Sequence, residues 1–140
     1  MVNDNLTLTG ALVISKNDVV VQRTNNLVVT AGKNWVADRM NNANTVMTHM
    51  ALGTGTNAAA VGDTTLQTEI DRNALTSTTV STNTIAYGCT WAAGDGTGAI
   101  TEAGLFDAAS TGDMLARTVF SVVNKGASDS ITITWTITIS

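Results

Sequence analysis

Ile131, Ile133, Trp135, Ile137 and Ile139 alternate without a break with Thr132, Thr134, Thr136 and Thr138. Only a strand sends successive side chains to opposite faces, so this segment has one wholly apolar face and one face of threonine. A helix would scatter the isoleucines around its circumference and crowd eight β-branched side chains against the preceding turns. The chain must therefore build a sheet with one side buried and the other wetted, the pattern of an antiparallel sheet packed on a core.

The same period of two recurs upstream. Leu6, Leu8, Gly10, Leu12 and Ile14 alternate with Thr7, Thr9, Ala11, Val13 and Ser15, and Lys16-Asn17-Asp18 turns the chain into a returning arm at Val19–Arg23. Four more strands are predicted at Ala74–Val80, Thr84–Ala92, Ala99–Phe106 and Met114–Ser121, with Ile85, Tyr87, Cys89 and Trp91 sharing a face. Val46–Leu52 carries apolar residues on both faces, which predicts a strand covered on both sides. With no proline and 12 glycines, the turns rely on Gly, Asn, Asp and Ser.

Helical signals are few. After Leu27-Val28-Val29, Thr30 is positioned to cap a helix over Ala31–Met40, with Trp35, Val36 and Met40 on its buried side and Lys33, Asp38 and Arg39 outside. Thr64-Thr65-Leu66-Gln67 has the spacing of a capping box and predicts a short helical turn through Glu69. Between them, Gly53–Asp63 has neither period and reads as a long surface loop. The sum is an all-β chain: an antiparallel two-sheet sandwich, expected as a jelly roll, with one or two short helices. At 140 residues, without a linker or a fixed repeat, it is expected as a single domain over 1–140 with an N-terminal arm over 1–5.

Composition narrows the function. Only 13% of residues are charged, so 25 threonines and 13 asparagines must do much of the wetting. A net charge of −4 argues against nonspecific nucleic-acid binding. Neither a run of about 18 apolar residues nor a basic, apolar leader is present, so no membrane span or export is expected and synthesis is assigned to a cytoplasm. Cys89 is the single cysteine and His49 the single histidine, which leaves no disulfide framework and no Cys/His zinc set. In a strand, each reads as a packing residue. Gly53-Thr54-Gly55 and Gly94-Asp95-Gly96-Thr97-Gly98 lack the lysine and spacing of a phosphate loop. Asp63, Glu69, Asp71, Asp95, Glu102, Asp107, Asp113 and Asp129 read as solvated acids near strand ends, and Trp91 and Trp135 as core. No catalytic residue, cofactor or metal is expected.

Longer strings carry a resemblance. Asn26-Leu27-Val28-Val29-Thr30-Ala31-Gly32-Lys33, Met50-Ala51-Leu52-Gly53-Thr54-Gly55-Thr56 and Leu66-Gln67-Thr68-Glu69-Ile70-Asp71-Arg72 are followed in order by Ile100–Asp107, Met114–Thr118 and Ile131–Trp135. This series resembles small virion structural proteins of tailed bacteriophages, with similar strings in tail-fibre attachment regions. The resemblance implies a non-enzymatic protein bound to the outer capsid surface, cementing neighbouring capsomers through the major capsid protein, itself dimeric. A tail, collar or fibre-adaptor role, with or without glycan binding, is the alternative. A tail-fibre subunit is expected to run on into shaft sequence, whereas this sequence stops at Ser140. The partner-contact residues expected are Met1, Val2, Asn3, Asp4 and Asn5 in the arm and Gly53, Thr54, Gly55, Thr56 and Asn57 in the loop.

Overall fold

A computed structural model describes residues 4–42 and 45–140. The alternating segments become strands β1 (Leu8–Lys16), β2 (Val19–Asn25), β3 (Leu27–Val28), β4 (His49–Gly53), β5 (Glu69–Ala74), β6 (Ser77–Ser81), β7 (Thr84–Trp91), β8 (Gly98–Phe106), β9 (Met114–Lys125) and β10 (Ile131–Ile139). Among the described residues one helix, α1 (Thr30–Met40), interrupts them. The strands form two antiparallel five-stranded sheets, β2-β1-β10-β7-β6 and β3-β9-β8-β4-β5, which is the expected two-sheet sandwich. Four pairings join sequence neighbours: β1–β2, β4–β5, β6–β7 and β8–β9. The order is thus built on hairpins, and lacks the sheet-to-sheet alternation of consecutive strands that a jelly roll implies.

β10 lies between β1 and β7, so its inward face becomes the centre of the core. Ile131, Ile133, Trp135 and Ile137 are no more than 2% exposed, while Thr134 on the other face is open to solvent. Trp91, Leu12 and Ile14 from the same sheet meet Met50, Leu52, Leu105 and Leu115 from the other. At one open side, the Gln22 side chain stands in for a strand: Oε1 accepts from Ser121 N–H (3.0 Å) and Nε2 donates to Ser121 C=O (2.9 Å), tying β2 to β9. The β1–β2 turn places Asn17 and Asp18 at φ 49° and 66°, a left-handed pair that these side chains tolerate and that matches strand twist.

Four further expectations are corrected. Ala74–Val80 is not one strand, because Leu75 N–H donates to Thr48 C=O in the second sheet while Thr76 N–H donates to Gly88 C=O in the first. The chain changes sheets between those two residues. The helix starts one residue early with Val29 at its cap, and Thr30 provides no side-chain cap; its own N–H donates to Val61 C=O at 2.8 Å. Met40 is 83% exposed rather than buried. The helix docks through Gly32, where a Cβ would collide with the Leu115 carbonyl, and through the expected Trp35 and Val36, which are half-buried and pack against the core. Finally, Thr64–Gln67 forms no helical turn, because the Gln67 N–H and side chain are engaged elsewhere.

Candidate interaction surface

The outward face of the second sheet is not solvated. Strand alternation turns Ala51 away from Met50 and Leu52, into a second apolar cluster with Val29, Leu66, Phe106 and Met114. The segment 54–68 roofs this face. Its attachment is polar, and centres on Glu102 of β8 and Arg117 of β9, which are 0% and 2% exposed.

Glu102 accepts five hydrogen bonds. Oε1 takes the N–H groups of Gly55 (3.0 Å) and Thr68 (2.7 Å), and Oε2 takes Gln67 N–H (3.0 Å) together with Arg117 Nε (3.1 Å) and Nη2 (2.8 Å). Burial alone would raise its pKa, but the Thr68, Arg117, Gln67 and Gly55 donors outweigh burial and hold the carboxyl below the ordinary value. Arg117 spends its remaining donors on the roof, with Nη1 to Asp63 Oδ2 (2.9 Å) and Nη2 to Asn57 C=O (3.0 Å). Asp63 Oδ2 also accepts Ala60 N–H (2.8 Å), and Gln67 Oε1 accepts Asn57 N–H (2.8 Å). Thr54 N–H to Thr68 C=O (2.9 Å) closes the base of the loop. Arg72 secures the adjoining corner, stacked 3.7 Å from the Phe106 ring centroid and donating to Glu69, Ala108 C=O and Thr111 C=O.

These contacts redistribute the expected partner-contact residues. Gly53 and Gly55 are buried, because their missing side chains make room for the Glu102 carboxylate and Gln67; neither presents a surface. Thr54 is half-buried, while Thr56 and Asn57 are exposed on the roof. Asp4 and Asn5 are exposed, and Met1, Val2 and Asn3 lie outside the described residues. The arm and the roof are therefore represented on the surface by Asp4, Asn5, Thr56 and Asn57. Glu102, read from sequence as a solvated acid, is instead the deepest polar group of the second sheet. A signal for it exists: Glu102 and Arg117 are lone opposite charges inside the otherwise uncharged runs Ala99–Phe106 and Met114–Phe120 of consecutive strands.

Cys89 and His49 are the single cysteine and histidine of the chain. Cys89 is fully buried, and burial, ahead of a smaller contribution from Asp71, pushes its thiol up to about 12. His49 Nδ1 hydrogen-bonds Thr48 Oγ1 at 2.8 Å. Among the described residues, no group of three or more His, Cys, Asp or Glu is placed to hold a metal ion, and no helix is long and apolar enough to cross a membrane. No family model, curated protein or solved structure matches the chain.

Proposed function

We propose that this protein is a structural component of a tailed-bacteriophage virion, bound to the outer capsid surface, where it cements neighbouring capsomers by contact with the major capsid protein. The observation that carries this reading is the roof. A loop held by the donors and acceptors of one buried ion pair presents Thr56 and Asn57 with little freedom left to lose, which reduces the ordering cost of binding. The ordered series of phage-like strings and a surface wetted largely by neutral side chains support the same reading. Cementing needs several such weak contacts acting together, each made intramolecular by the first. A dimer about a two-fold axis doubles them.

The test is stoichiometry. Quantitative mass spectrometry of purified particles should find the protein in a fixed, high ratio to the major capsid protein, and particles lacking it should rupture at lower temperature. A dozen or fewer copies would move it to the tail, and absence from particles would reject the reading.

A further inference from the structure

β1 is paired with β10 along its whole length but with β2 only from Ala11 onward. β2 ends at Asn25, and the chain crosses through Asn26 to pair Leu27 and Val28 with β9 in the other sheet. The antiparallel ladder fixes what this departure leaves behind. Thr7 N–H donates to Ser140 C=O (2.7 Å) and its C=O accepts from Ser140 N–H (2.9 Å), while Asn17 N–H donates to Ser130 C=O (3.0 Å). Odd-numbered residues of β1 therefore pair toward β10, and even-numbered residues turn their N–H and C=O the other way. On that side Gly10 C=O still accepts Asn26 N–H at 3.2 Å. The Gly10 N–H and both backbone groups of Leu8 face a cleft, with no strand among the described residues hydrogen-bonded to them.

The cleft has a volume of about 760 Å³, with apolar walls at Leu6, Leu27 and Val28 and the exposed Lys33 of α1 at its margin. Asn26 also lines it: Oδ1 accepts from Trp135 Nε1 (2.9 Å), while Nδ2 is buried with no acceptor among the described residues. We infer that this cleft captures an extended segment of a partner protein by strand addition beside β1, in the lane that β2 vacates. Leu8 and Gly10 present their groups two residues apart, roughly 7 Å along the strand, which is the repeat of another antiparallel strand and of no helix. The walls call for an apolar side chain at every second residue of the segment, and Lys33 calls for an acidic residue near one end. The inference concerns the chemistry of the segment, and stands whether the partner is a capsid protein or another.

The experiment uses the full chain and a synthetic hexapeptide of alternating valine and threonine closed by one glutamate, blocked at both ends. In the protein alone, NMR hydrogen exchange should be fast at the Leu8 and Gly10 amides and slow at Thr9, which pairs toward β10. Peptide should slow the first two at least tenfold, and the same peptide N-methylated at alternate residues should not. Lys33→Glu should weaken capture roughly two- to fivefold, the range of an exposed ion pair. Leu8→Pro, which removes an N–H facing the empty lane, should keep the fold and lose capture. Slow exchange at Leu8 and Gly10 in the protein alone would overturn the inference, and protection that fades on dilution would give the lane to a second copy. No binding at millimolar peptide, or binding that leaves the two amides unchanged, would overturn it as well.

Discussion

The two faces of the second sheet are covered by opposite means. Its inner face packs on the other sheet through Met50, Leu52, Leu105 and Leu115, whose partners are interchangeable apolar surfaces. Its outer face is covered by a loop that has one apolar plug, Leu66, and is otherwise held by directional bonds to Glu102 and Arg117. Apolar burial tolerates rearrangement, whereas a buried ion pair holds only while every donor and acceptor is in place. The core and the roof should therefore fail differently, one globally and one locally.

The largest effect should come from the core. Trp135→Ala removes a fully buried indole and its bond to Asn26, and should cost about 3–5 kcal/mol in denaturant unfolding. Arg117→Ala leaves the Glu102 charge buried without its counterion, and should cost about 3 kcal/mol. Its signature is different: amide exchange should rise first across 55–68, with β10 unaffected. Cys89 sharpens the contrast. With its thiol pushed up to about 12 and no exposed surface, it should resist alkylation at pH 8 until the sandwich itself opens.

Acid should find the roof. Because the folded-state pKa of Glu102 is lowered, its contribution is fully present above the unfolded value, about 4.3, and is lost as pH falls through the folded value. The melting temperature of wild type should therefore drop more steeply below about pH 4 than that of Glu102→Gln, and equal slopes would remove Glu102 from the acid response. Gly55→Ala, whose Cβ would come within 2.6 Å of Glu102 Oε1, should cost about 1–3 kcal/mol, again with faster exchange confined to the roof. The smallest effect lies outside both regions. Thr82 sits at φ 52°, where a β-branched residue is strained, and Thr82→Asn should stabilise the β6–β7 hairpin by up to about 1 kcal/mol.

The same division governs what could be read from sequence. The strands of the core announce themselves because a buried face repeats every two residues, and β1, β7, β8 and β10 fall within about two residues of their expected bounds. The roof follows no period. Gly53 and Gly55 looked like an open loop because a glycine that yields space to a carboxylate is spelled the same way as one that turns a chain. Thr64–Gln67 matched a helix start, but its donors and acceptors were claimed by Glu102 and Asn57, residues distant in sequence. Helical spacing puts Met40 inside with Trp35 and Val36; those two do pack on the core, but α1 approaches the sheet most closely at Gly32, and its last residue, Met40, is left 83% exposed. Long-range polar pairing leaves only the faint trace of two charges in uncharged strands.

The reciprocal pairing of Thr7 with Ser140 also decides how the sandwich bears a mechanical load. β1 enters the sheet beside the point where β10 leaves it, and from there the two antiparallel strands stay paired along their length. Tension applied at residues 7 and 140 falls on one pair of hydrogen bonds at a time and peels the strands apart like a zipper. Tension that enters through the roof and leaves through Ser140 must instead cross from one sheet to the other. That load is shared along β8 and β9 and through the tightly packed core, so the fold should yield readily along its seam and resist pulling on its covered face.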